Sequence, residues 1–181
     1  MRKIQLIGMT LAVVAAMAAM TSVAAAHEFV STGTGALSLT RNATQKFTTR
    51  FGAVECTAMG VTSKVNTTKT TEMHASISYS TCTAIGVAAT VSTALYLFLA
   101  SGETHIKNTI TITALGCKLT VLPQSVNTVK YKNTGKELEL KPEVTGIAYE
   151  GSGSLCNGTG KDGTYTGTSV VALAGQTIEW K

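Results

Sequence analysis

Met73-His74-Ala75-Ser76-Ile77-Ser78-Tyr79 alternates apolar and polar side chains at every step. A period of two sends one set to each face of an extended chain, so this stretch reads as a half-buried β-strand. The same alternation recurs in Leu37-Ser38-Leu39, from Ile106 to Ile112, in Val129-Lys130-Tyr131 and in Leu138-Glu139-Leu140. Threonine, valine and isoleucine dominate around these runs, proline appears only at Pro123 and Pro142, and no stretch after Ala26 shows an apolar face at helical spacing. Turn signals punctuate the chain at Gly33-Thr34-Gly35, Ala100-Ser101-Gly102-Glu103, Asn133-Thr134-Gly135, Gly151-Ser152-Gly153 and Asn157-Gly158-Thr159-Gly160. Short strands with frequent turns predict an all-β protein, an antiparallel β-sandwich or alternatively a β-barrel.

Two hairpins stand out. One joins Ser92–Leu99 to His105–Thr113, the most apolar part of the chain; the other joins Val126–Lys132 to Lys136–Lys141 across Asn133-Thr134-Gly135. Glu150–Gly163, rich in glycine, reads as a long exposed loop held at Cys156, followed by a final strand of Val170, Val171 and Leu173 that ends at Trp180.

Residues 1–26 read as a secretory signal peptide. Arg2 and Lys3 form the positive start, Ile4–Met20 the apolar stretch, and Ala24-Ala25-Ala26 the small-residue cleavage site. Cleavage leaves one secreted β domain, 27–181, with His27 first. The mature part carries 13 Lys/Arg against 10 Asp/Glu, a net charge of +3. Those cations are scattered, without the stripe that tracks a phosphate backbone, which argues against nucleic acid. Ala84–Ala100, the next most apolar segment, is interrupted by Gly86, Thr90, Ser92 and Thr93, so no membrane span is expected after cleavage.

Cys56, Cys82, Cys117 and Cys156 make an even set for an oxidising compartment and predict two disulfides. Three pairings are open. Sequential pairing, Cys56 with Cys82 and Cys117 with Cys156, closes the shorter loops and is favoured. A metal role for these cysteines is disfavoured because no pair stands as C-x-x-C.

Chemistry-bearing residues are few. A mature N-terminal His27 offers an amine and an imidazole to one metal ion, and His74 or His105 could complete a copper site. That arrangement resembles the histidine brace of lytic polysaccharide monooxygenases and the copper site of CopC-like carriers. Against hydrolysis, there is no G-x-S-x-G around a serine. Glu137 and Glu139 share a strand face but sit between Lys136 and Lys141, which reads as a solvated hairpin. The threonine rows at 109–113 and 164–168 suit β-propensity better than a repeated binding face, and most aromatic residues fall on core positions. No catalytic residue is expected.

The Ala26-His27-Glu28-Phe29 start, the spaced cysteines and Gly163-Thr164-Tyr165-Thr166-Gly167 together resemble uncharacterised small secreted disulfide-bonded proteins of high-GC Gram-positive bacteria. The resemblance implies a β-sandwich without catalytic residues. The expected function is that of a secreted non-enzymatic module, a cell-envelope component or a binder of a protein or glycan at the cell surface, with no cofactor. Copper binding through His27 is the alternative.

Overall fold

The structure, a computed structural model, describes residues 26–181. The signal-peptide reading therefore lies outside the described residues, except at Ala26. Within them the chain is all-β, with no helix and seventeen strands. The antiparallel sandwich expected from the alternation is what it builds.

In chain order the first strands are β1 (Phe29–Ser31), β2 (Gly35–Asn42), β3 (Gln45–Thr49), β4 (Gly52–Val65), β5 (Lys69–Thr70) and β6 (Glu72–Ala84). There follow β7 (Val87–Val91), β8 (Ala94–Leu99), β9 (Thr104–Ile106), β10 (Ile110–Ala114), β11 (Cys117–Val121) and β12 (Gln124–Val126). The last are β13 (Val129–Thr134), β14 (Glu137–Gly153), β15 (Gly158–Thr166), β16 (Ser169–Leu173) and β17 (Ile178–Trp180). A small sheet, β17-β1-β5, covers one end of a fourteen-stranded sheet.

Three strands organise the molecule: β4, β6 and β14, with 14, 13 and 17 residues. At about 3.3 Å per residue each spans about 40–55 Å, enough to serve two cores. One core gathers Phe29, Leu37, Met73, Leu138 and Ile178; the other gathers Phe47, Ile112, Leu119, Ile147 and Tyr149. A strand of strict period two presents one set of side chains to one side, so reaching both cores requires a change of parity. The changes are visible. β6 buries Met73, Ala75 and Ile77, then Cys82, switching at Thr81 (φ 52°). Opposite it, β4 buries Val54 and Cys56, then Ser63 and Val65. In β14 burial passes from Leu138, Leu140 and Val144 to Ile147 and Tyr149 across Gly146 (φ 75°), where the register with β15 is irregular.

Around the second core the two layers join. β4, β6, β7, β10, β11, β14, β15 and β3 pair in an unbroken cycle that returns to β4. The cysteines pair as Cys56–Cys82, register partners on β4 and β6, and Cys117–Cys156, which ties β11 to the connection after β14.

Local organisation departs from the sequence reading at several points. The final strand does not run to Trp180: it ends at Leu173 as β16, and Trp180 lies on β17 in the small sheet. The hairpin expected from Ser92 to Thr113 splits: β8 pairs with β9, whereas β10 leaves it to pair with β7 and β11. Nor is Glu150–Gly163 a long loop, because β14 extends to Gly153 and β15 starts at Gly158. Its glycines are where neighbours come close. A Cβ on Gly160 would sit 2.5 Å from the Tyr149 hydroxyl, and one on Gly163 2.7 Å from the Ile147 carbonyl. The hairpin of β13 and β14 forms from Val129↔Pro142 to Thr134↔Glu137, without Val126, which lies on β12 opposite Thr104 of β9.

Candidate functional site

The switch between cores leaves a hollow of about 120 Å³ inside the sandwich. Its wall is apolar, with Met59, Ile77, Phe98, Ile112 and Val121 among the residues facing it, and no Asp, Glu, Lys, Arg or His contributes. Strand parity places three tyrosines there. Tyr79 continues the inward set Met73, Ala75 and Ile77, Tyr96 stands between inward Ala94 and Phe98, and Tyr165 lies opposite Phe47.

Their hydroxyls form a chain. Tyr96 and Tyr79 are 3.1 Å apart, Tyr79 and Tyr165 are 3.2 Å apart, and Tyr165 donates to Gln45 Oε1 at 2.6 Å. Gln45, 2% exposed, fixes the polarity of the whole series. Its Nε2 donates to the Ala43 carbonyl at 2.9 Å, so its Oε1 must accept. Tyr165 spends its proton on that oxygen and accepts from Tyr79; Tyr79 in turn accepts from Tyr96. All three protons thus point toward Gln45. The Tyr96 oxygen, at the head of the chain, keeps acceptor capacity that none of these partners uses. Burial, and after it the nearness of the other phenols, pushes the pKa of Tyr79, Tyr96 and Tyr165 well above the ordinary value. The chain is accordingly neutral at physiological pH, in a wall without charge. Such a site accommodates an uncharged apolar body, and beside the Tyr96 oxygen it presents the buried Thr104 hydroxyl, which has no hydrogen-bond partner among the described residues.

The sequence placed these tyrosines among core positions, which is where they are; it did not show that their hydroxyls converge. Gln45 was missed. Its signal was a polar side chain on the same parity as Phe47.

The histidines are not gathered. His74 and His105 lie on the outer face of β6 and β9, each in register with Leu97, which stands between them. His74 pairs with Glu72 at 3.7 Å; His105 lies 3.2 Å from Glu103 and 3.3 Å from the Ser125 hydroxyl. His27 stacks on Trp180, centroid to centroid 4.2 Å. Among the described residues no group of three or more His, Cys, Asp or Glu is placed to hold a metal ion. Glu137 and Glu139 alternate with buried Leu138 and Leu140 and so face outward, Glu137 pairing with Arg41 at 2.8 Å. Trp180 donates from its indole nitrogen to the Ala100 carbonyl at 2.7 Å. No protein-family model, curated protein or solved structure matches this chain.

Proposed function

We propose that the protein is an extracellular, non-enzymatic binding module whose hollow takes one small apolar molecule bearing a hydroxyl. The observation that carries this reading is the uncharged cavity with its single oriented hydroxyl chain. An apolar cavity of about 150 Å³ in another protein stays dry and takes benzene, so this one is in the range for a phenol or a short-chain alcohol. A carboxylate has no cation to meet it and would lose its hydration. The two disulfides support an oxidising compartment. The sequence favoured action through the outer surface, on a protein or glycan; the hollow moves the emphasis to the interior.

Calorimetric titration with toluene, p-cresol and p-toluate tests the reading, because the three share one body and differ in the polar group. p-Cresol should bind about 5–10-fold more tightly than toluene, the worth of one hydrogen bond, and p-toluate should not bind. Tyr96→Phe should bring p-cresol down to toluene. Ala75→Leu, which fills the hollow from β6, should abolish both. Equal heats for all three ligands with wild type and Ala75→Leu would sink the proposal.

A further inference from the structure

Four connections lie together at one end of the paired cycle: Arg50-Phe51 between β3 and β4, Ile85-Gly86 between β6 and β7, Leu115-Gly116 between β10 and β11, and residues 154–157 between β14 and β15. They are close neighbours. A Cβ on Gly52 would meet Ile85 at 3.3 Å, one on Gly116 would meet the Ser154 hydroxyl at 3.4 Å, and one on Gly158 would meet the Arg50 guanidinium at 2.8 Å. From this end project Ile85, Leu155 and Leu115, with 77%, 65% and 52% of their surface exposed.

Two of these tips also break the local rules of turn chemistry. Ile85 and Gly86 have φ of 51° and 77°, Leu115 and Gly116 of 47° and 69°. Positive φ at both central residues is the type I′ turn, whose first position favours Asn, Asp or Gly. A bulky side chain there is strained, and a β-branched one most of all. The same chain puts glycine at the strained positions of its β8–β9 and β13–β14 turns, Gly102 (φ 92°) and Gly135 (φ 65°), where nothing apolar is displayed. Strain kept at tips that leave most of the side chain exposed points to a role for the side chain itself.

The tips are also stiffened and carry a consistent charge. Cys56–Cys82 lies three residues before Ile85, and Cys117–Cys156 joins the residue after Leu115-Gly116 to the residue after Leu155. Arg50 lies 4.8 Å over the Phe51 ring, and Lys118 flanks the Leu115 turn. Neither cation forms a salt bridge among the described residues. The four connections contain no carboxylate.

We propose that this end docks on an anionic lipid surface, with Ile85, Leu115 and Leu155 entering the acyl region while Arg50 and Lys118 meet the phosphates. Separate apolar side chains on braced loops, with two unpaired cations beside them, suit a soft interface that closes around each one. A protein partner would call for one continuous apolar face. The inference stands on the loops alone and does not depend on the hollow.

Co-sedimentation with phosphatidylglycerol vesicles and with phosphatidylcholine vesicles tests it, using wild type and the double variant Ile85→Asn/Leu115→Asn. Wild type should sediment with phosphatidylglycerol and much less with phosphatidylcholine. Each lost side chain should weaken binding about tenfold, the pair about a hundredfold. Because Asn suits both turns, the variant should melt at a higher temperature than wild type, which separates lost docking from lost folding. The proposal is overturned if wild type binds neither vesicle, if it binds both equally, or if the variant binds like wild type. Concentration-dependent dimerisation abolished by the variant, without vesicle binding, would assign this end to a second copy instead.

Discussion

The long strands β4, β6 and β14 run between two ends that treat the same residue types in opposite ways. At one end β1, β5 and β17 form a cover: Phe29 and Ile178 are buried and the Trp180 ring lies between His27 and Tyr131. The two ends of the described chain close that cover on each other, Glu28 and Lys181 exchanging backbone hydrogen bonds of 2.7 and 2.9 Å. At the other end Ile85, Leu115 and Leu155 stay uncovered, and two disulfides provide order there. The difference teaches that burial at an end of a sandwich depends on having a segment left to lay over it. Where no described segment lies over the end, covalent bridges hold the strands and the apolar tips are exposed.

Alkaline titration tests whether the two ends melt as one body, and it should have the largest effect. Tyr79, Tyr96 and Tyr165 lie between the ends with raised pKa values, so above the ordinary phenol value of 10.0 the unfolded chain releases protons that the folded chain keeps. Stability is therefore unaffected below that pH and falls above it, by about 4 kcal/mol per pH unit for the three together. Near-ultraviolet circular dichroism and amide exchange should report one transition; separate transitions for the two ends would break the picture of shared strands.

Truncation at the covered end comes next. Ile178→Ala should cost about 3–4 kcal/mol in urea denaturation, the value for a buried branched side chain in a well-packed cluster. At the opposite end Cys117→Ala/Cys156→Ala should cost about 3 kcal/mol, with faster amide exchange concentrated near the 115–116 and 154–157 connections. If exchange rose equally at the covered end, the disulfide would not be a local brace. Tyr165→Phe should cost about 2 kcal/mol by leaving Gln45 Oε1 unpaired in the interior. The smallest change is a gain: Ile85→Asn and Leu115→Asn should each add about 0.5–1 kcal/mol, measured by thermal unfolding, because Asn tolerates the left-handed turn.

Much of the architecture was legible in single stretches. Met73–Tyr79 announced a strand because alternation is a property of neighbouring residues, and the Asn133-Thr134-Gly135 turn announced its hairpin for the same reason. Ser92–Thr113 was misread because the strongest local pattern says nothing about which strand a segment pairs with: β8 takes β9, while β10 goes to β7 and β11. Glycines at 150–163 looked like loop, yet they relieve crowding against Tyr149 and Ile147 inside a pair of strands. His27, His74 and His105 were proposed together from residue type, and register sets His74 and His105 on either side of Leu97.

By itself the sequence determined strand content, antiparallel turns and an even set of cysteines. These follow from short-range pattern, because side-chain period and turn preference are decided within a few residues. Only the tertiary structure decided where β4, β6 and β14 change face, that a hollow opens between the two cores, and that three hydroxyls align on Gln45. Those features depend on partners up to 120 residues apart, as Tyr165 and Gln45 are. No local pattern encodes such a distance; the pairing of long strands creates it.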